Sequence, residues 1–426
     1  MKRILFTGVA LAACLSASHA FAGKITVWVI DGDTEKPYFQ QLKDTFNAKF
    51  KAADVSADVV PVPNINNAIQ SATQSGDLPD VVLIDGPNMA SMAWAGTLQP
   101  IGSLIDPSVL ADLLPSVREQ GTYAPTNALY SISPYDSSVI LWGNKSMLEK
   151  AGVRIPTTPD NAWSRDEFRD ALAKLATVPG VRWPLDLKLN YGAGEWMTYG
   201  FLPFVESNGG DLVDRKTWVA EGTINSKANV DALSEVQSWV KKGWVVPASA
   251  GDNTFYGDKT SALSWVGNWM WPAYAKGLGK DLVLIPAPKF GPDGVKSPNG
   301  GWSWAVPAKA QDLKDIKLFL NYAMSTEQVA AYANLTGYAP SRTSALPLTE
   351  NFKKGAPGEL FAEQGACCAM VRPVHPAYPV MTSSWSQAVV NILTGNADVK
   401  AELDRAAKAI DQDIADNSGY PPFGKQ

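Results

Sequence analysis

Histidine and cysteine are almost missing from this 426-residue chain, which holds two of the first and three of the second. With an N-terminal leader removed, as read below, only His375 and the neighbours Cys367 and Cys368 remain. That scarcity excludes much chemistry. A Ser-His-Asp or Cys-His catalytic set would have to use His375 alone. The sequence carries no Gly-x-Ser-x-Gly elbow, His-Glu-x-x-His pair, phosphate loop or Cys-x-x-Cys motif. A transition-metal centre would lack its usual imidazole and thiolate donors, so neither metal nor cofactor is expected. Positive charge is short too, with 37 Lys and Arg against 42 Asp and Glu. Basic patches interleaved with aromatics are absent, which argues against a nucleic-acid partner. Beyond the leader no apolar run reaches the roughly 18 residues of a membrane span, and no repeat or low-complexity tract occurs.

The chain opens Met1-Lys2-Arg3, continues with an apolar segment from Ile4 to Leu15, and offers Ala20-Phe21-Ala22 before Gly23. This pattern predicts a secretory signal over 1–22 and a soluble, monomeric protein in the periplasm. Leu11-Ala12-Ala13-Cys14 is a second possible cleavage box, one that would leave a lipid anchor on Cys14, although the apolar segment before it is short. The remaining length exceeds one hydrophobic core and predicts two lobes.

Tryptophan is plentiful, with fifteen in the chain. Three of them, Trp265, Trp269 and Trp271, fall within Ala262–Trp271 around Gly267-Asn268, a pattern that reads as a strand end turning into a helix start. Indoles at such a junction either face a cleft, where the C–H face of a sugar ring stacks on them, or simply fill the core. Elsewhere β-rich runs (Lys24–Ile30, Val55–Val62, Val81–Ile84) alternate with helical periods such as Phe39, Leu42, Phe46 and Phe50. Alternation of this kind predicts an α/β fold with largely parallel sheets. Ligands of such sheets sit beyond the carboxyl ends of the strands, here the loops at Asp31–Glu35 and Asp85–Asn88. Proline-marked segments near Ser133–Ser138, Asp281–Pro288 and Gly337–Arg342 read as three crossings between lobes. The first lobe then takes 23–132 and 285–340, the second 133–284 and 341–426. Cys367-Cys368 can either close a strained ring or stay as two buried thiols.

Several pieces, in order, resemble the extracellular solute-binding proteins of ABC transporters, in the branch typified by the maltodextrin-binding protein. They are Lys24–Trp28 with its Asp-Gly-Asp loop, Pro79-Asp80-Val81-Val82, Trp94-Ala95-Gly96, Asn144–Leu148, Asn208-Gly209-Gly210, Ala262–Trp271 and Trp302–Pro307. The resemblance spans the chain beyond the leader. It implies a two-lobed periplasmic binding fold with three crossings, a sugar held between the lobes, delivery to a membrane permease, and no catalysis. Residue by residue it places Trp269 and Trp385 as stacking platforms, and Asp33 (or Asp31, one register away), Asp136 and Glu195 as hydroxyl partners. Where the maltodextrin branch has a tryptophan this chain has Ile84, beside Asp85, a departure that points to a different sugar. Asp85, Trp196, Asn268, Trp302 and Arg342 complete the candidate set. Arg342 leaves open a polyol or glycerol-3-phosphate-like anion. The rival from another class is a glycoside hydrolase using Asp85, Asp136 and Glu195.

Overall fold

The computed structural model describes residues 23–422, so the segment 1–22 read as a secretory signal, with Cys14, lies outside the described residues. Two sheets organise the chain. Their strands, in chain order, are β1 (Gly23–Ile30), β2 (Val55–Val62), β3 (Val81–Asp85), β4 (Ser131–Ile132), β5 (Val139–Asn144), β6 (Trp183–Asp186), β7 (Ser261–Gly267), β8 (Leu282–Ile285) and β9 (Trp302–Ala305). The first sheet runs β2-β1-β3-β9-β4, with β1 parallel to β2 and β3, and β9 antiparallel to both its neighbours. The second runs β8-β5-β7-β6, in which β5 is the antiparallel member. The fold is therefore a two-lobed α/β architecture.

Alternation along each strand explains why both faces of the first sheet are covered. Val81 and Leu83 join the core beneath helix Lys36–Phe50, against Phe39, Leu42 and Phe46. Val82 and Ile84 point the other way and pack with Ile65, Ile69 and Met89. Trp302 and Trp304, two positions apart, share a face; Trp304 is fully buried in the first core, while Trp302, at the start of β9 opposite the last residue of β3, is only partly covered. The second core is rich in aromatics. Trp142, Trp163, Trp239, Trp265 and Trp385 are all buried in it and contribute to its packing.

The second crossing falls later than the 284/285 boundary read from the sequence. Strand β8 pairs within the second sheet, and Ala287, Phe290 and Val295 still pack in the second core. The prolines of Asp281–Pro288 end that strand without leaving the lobe. The chain passes back at Ser297–Gly301, where Ser297-Pro298 pairs with Ala369-Met370 and Gly300 bridges to Ser137. The other two crossings pair with each other, Tyr135-Asp136 against Ala339-Pro340. The third is longer than its proline suggests, since Ala345 packs in the first core and Phe352 in the second.

His375 sits in the second lobe, fully buried against the Trp218 ring, with centroids 4.5 Å apart. Its Nδ1 accepts the Ala377 N–H at 3.1 Å. Burial lowers its pKa to about 4. The unfolded chain takes up this proton near pH 6.5 and the folded chain does not, so stability falls as pH drops from about 7 towards 4. The expected loss is about 3 kcal/mol from this group. Urea unfolding of wild type and His375→Gln at pH 7.5 and 4.5 checks it. Equal pH sensitivity in both proteins would remove His375 as the cause.

Candidate ligand-binding site

A cleft of about 310 Å³ lies between the lobes, lined by residues of both and of the crossings. The parallel strands explain its position. Strand β3 ends in Asp85, and its antiparallel partner β9 begins at Trp302 directly opposite that residue. From the other lobe, β6 leads to Tyr191 and to helix Glu195–Ser207, and β7 delivers Trp269. The open ends of both sheets thus face each other.

Three indoles and a charged cluster make up the chemistry. Trp269 stands edge-on to Trp196, with centroids 5.9 Å apart at 89°, and Trp302 enters from the first lobe. Gly267 is what lets Trp269 fold back: a Cβ there would lie 1.9 Å from the indole ring. Only this indole of the Ala262–Trp271 run reaches the cleft. Trp265 donates to the Gly200 carbonyl inside the core, and Trp271 packs on Trp142.

Glu195 opens its helix, and a carboxylate is favoured at a helix N-terminus. It accepts hydrogen bonds from Arg372 Nη1 at 2.5 Å, from Thr382 Oγ1 at 2.7 Å and from the Tyr378 hydroxyl. Arg372 is buried between Glu195 and Asp85, with Nη2 3.9 Å from Asp85 Oδ1, and it lies over the Tyr199 ring at 4.9 Å. Gly300 is required for this approach, because a Cβ there would meet the Tyr199 ring at 2.4 Å and Arg372 Nη2 at 3.2 Å. Burial opposes the charge on Arg372, but Tyr378, Glu195 and Asp85 outweigh it and hold the guanidinium charged. Burial also raises the pKa of Asp85 above the ordinary carboxylate range; Arg372 pulls it down and Glu195 pushes it up.

Of the ten candidate residues, the cleft brings together Asp85, Glu195, Trp196, Trp269 and Trp302. The other five lie elsewhere. Asp33 is exposed and pairs with Lys36; its neighbour Asp31 pairs with the same lysine and borders a shallow groove that ends at Trp302. Asp136 is buried within the crossings, where Ser116, Asn299 and the Gly300 N–H all donate to it. Asn268 is fully buried and does not line the cleft. Arg342 is held by Asp112 at 2.8 Å and by the Met324 carbonyl at 2.6 Å, facing away from the cleft. Trp385 is in the second core and donates to the Met197 carbonyl at 2.8 Å. Its helix, Tyr378–Leu393, packs along Glu195–Ser207, so Tyr378 and Thr382 in the first turns reach Glu195 while the next turn is already inside the core.

Sequence reasoning missed Arg372, Tyr135, Tyr199, Tyr338 and Tyr378. For Arg372 a signal existed: it is a lone charge in the apolar, proline-rich stretch Ala369–Val374. Such a charge is rarely buried without a partner. The tyrosines gave none. Cys367 and Cys368 are joined in a disulfide at the end of helix Glu359–Cys368, outside the cleft lining.

The family profile described as bacterial extracellular solute-binding protein matches residues 41–357. The chain belongs to that family. It is 24% identical over 372 residues to the diacetylchitobiose binding protein DasA of Streptomyces coelicolor, covering 82% of this chain and 79% of that one. It is 25% identical over 390 residues to the sn-glycerol-3-phosphate-binding periplasmic protein UgpB of Pectobacterium atrosepticum, covering 79% and 78%. Among solved structures, the GacH receptor of Streptomyces glaucescens superposes with a TM-score of 0.75 at 23% identity, over 94% of this chain and 99% of that one. That structural likeness carries the two-lobed fold. The solute is a question for the cleft of this solute-binding protein.

Proposed function

We propose that this solute-binding protein takes a neutral sugar, a di- or oligosaccharide, between its lobes in the periplasm and hands it to an ABC permease without altering it. The observation that carries the reading is the pairing of three indoles with the Asp85–Arg372–Glu195 cluster in one cleft. Indole faces stack on sugar C–H faces, and carboxylates held by a guanidinium present acceptors and donors to hydroxyls at fixed spacing. The diacetylchitobiose-binding relative and the acarbose-bound GacH receptor support the same class.

The glycerol-3-phosphate-binding relative supplies the second reading, a phosphorylated polyol. Charge weighs against it. Two carboxylates face one guanidinium in the cleft, and that guanidinium is already paired, so a phosphate would meet a net negative wall. Arg342, the residue that left an anion open, faces Asp112 instead. Thermal unfolding of refolded, ligand-stripped protein with a panel of neutral disaccharides, oligosaccharides, polyols and sugar phosphates separates the two. A ligand at about a hundredfold its dissociation constant adds roughly 2.7 kcal/mol. The largest shift is expected from a neutral di- or oligosaccharide. A shift confined to glycerol 3-phosphate or other sugar phosphates would overturn the neutral class.

The raised Asp85 pKa gives this reading a pH signature. Above that pKa the charged carboxylate accepts a sugar hydroxyl strongly; below it the group carries a proton and loses the charge that strengthens the bond. Affinity is therefore expected to fall by up to about tenfold per pH unit on acidification, starting above the usual carboxylate range near 4. Titration calorimetry with the ranking sugar from pH 7.5 to 5 measures it. Asp85→Asn should bind weakly and without that slope, and a slope retained in the variant would assign it to another group.

A further inference from the structure

Behind the crossings lies a second space of about 160 Å³, bounded by Leu114 from the first lobe and Leu346, Phe361, Gly365 and Ala366 on the other side. The crossing strands form the wall between it and the cleft. Tyr135 and Ser137 line the cleft, while Asp136 and Ser138 line the rear space; Tyr338 faces the cleft, while Ala339 and Pro340 face the rear. Alternation along an extended chain puts successive side chains on opposite faces, so the two spaces sit back to back. The second crossing contributes in the same way, with Gly301 in front and Ser297 and Pro298 behind.

The rear walls are mainly apolar, with four polar side chains, Asp136, Ser138, Ser297 and Thr343; the Ser297 hydroxyl donates to the Val139 carbonyl at 3.0 Å. The Asp136 carboxylate is already taken up by three donors. Ser138 is 5% exposed, and its hydroxyl finds no partner among the described residues. A buried hydroxyl left alone costs stability, and a guest that bonds it recovers that cost. An apolar cavity of roughly 150 Å³ accommodates a benzene-sized guest.

We propose that this rear space is a second binding site, for a phenol-sized molecule with one hydroxyl, and that its occupancy favours the closed cleft. The ring takes the apolar walls beside Phe361 and Leu346, and the hydroxyl bonds Ser138. The coupling follows from the walls. Leu114 packs with the first core and Phe361 belongs to the second, so rotation about the crossings changes the spacing between them. Opening the front narrows the back. A guest that props the rear space at the size seen here therefore disfavours opening, and linkage makes the effect reciprocal.

The probe is 4-fluorophenol, followed by its fluorine resonance on the full mature protein, with no sugar present. Saturable binding is expected, together with a smaller radius of gyration by small-angle scattering than for the free protein. Gly365→Leu should abolish it, since a Cβ at Gly365 meets no heavy atom within 4 Å and leaves room for the side chain to fill the space. Ser138→Ala should weaken 4-fluorophenol about tenfold and leave fluorobenzene unchanged, which keeps the test sharp should the leucine variant fail to fold. Absence of saturable binding would mean that the space holds water, and would overturn the site. Loss of binding in Trp269→Ala with retention in Gly365→Leu would place the probe in the cleft and overturn it equally. Binding without a change in scattering would overturn the coupling.

Discussion

Replacing Arg372 by methionine is expected to abolish detectable sugar binding and to destabilise the folded protein by about 3–5 kcal/mol at pH 7.5. The guanidinium is the one cation among the lining residues of the cleft, and it sits between two carboxylates with almost no solvent to replace it. Methionine fills much of the volume but leaves Glu195 with only the Tyr378 and Thr382 hydroxyls as donors. Asp85, whose pKa burial already raises, loses the group that pulls it down. The destabilisation should therefore shrink on acidification, as Asp85 takes up a proton. A second substitution, Glu195→Gln, should restore much of the stability by removing the stranded charge, and should not restore binding. Urea unfolding of the two single variants and the double variant measures the interaction. Additive losses in the double variant would mean that Arg372 and Glu195 do not act as a pair.

The contrast between Arg372 and Arg342 shows what a sequence reveals of such a site and what it hides. Both arginines stand near crossings, and a charge near a crossing is visible in the sequence. Which of them faces the cleft depends on partners far along the chain: Asp112 captures Arg342, and Glu195 holds Arg372 across 177 positions. No local pattern encodes those pairings. The fold was legible because its signals are local. The alternation of Val81–Asp85, the helical period of Phe39, Leu42 and Phe46, and the loops after β1 and β3 follow from side-chain periodicity. Trp269 was legible for the same reason, since Gly267 two positions earlier leaves room for its ring. Asp33 and its alternative Asp31 both pair with Lys36 outside the cleft lining, and of the two only Asp31 borders the groove at Trp302. Asp136 lies outside the cleft by alternation: it points behind the wall whose front carries Tyr135 and Ser137. The position of the second crossing was obscured because prolines mark strand ends as readily as passages between lobes.

Trp269 and Trp385 separate binding from packing, and their alanine variants are expected to differ in kind. Trp269→Ala should weaken the sugar roughly 30- to 150-fold, or about 2–3 kcal/mol, the scale of a central aromatic contact in a binding site. Its ring is only partly covered and touches Trp196 and Tyr199 at the cleft wall, so its removal opens space that is continuous with solvent. Loss of folding stability should be small by comparison. Trp385→Ala should do the reverse. That indole is fully enclosed in the second core and donates to the Met197 carbonyl, so truncation leaves a cavity and an orphaned acceptor, costing about 3–5 kcal/mol of stability. Where the variant still folds, affinity should change less than in Trp269→Ala, because Tyr378 and Thr382 on the same helix continue to hold Glu195. Calorimetric affinity and urea unfolding on both variants resolve the two effects. If Trp385→Ala loses affinity with stability intact, the helix Tyr378–Leu393 turns its third turn towards the ligand in the bound state, and the stacking role expected of Trp385 from the sequence returns. If Trp269→Ala binds as tightly as wild type, the indoles are walls rather than platforms, and the affinity rests on the Asp85–Arg372–Glu195 cluster alone.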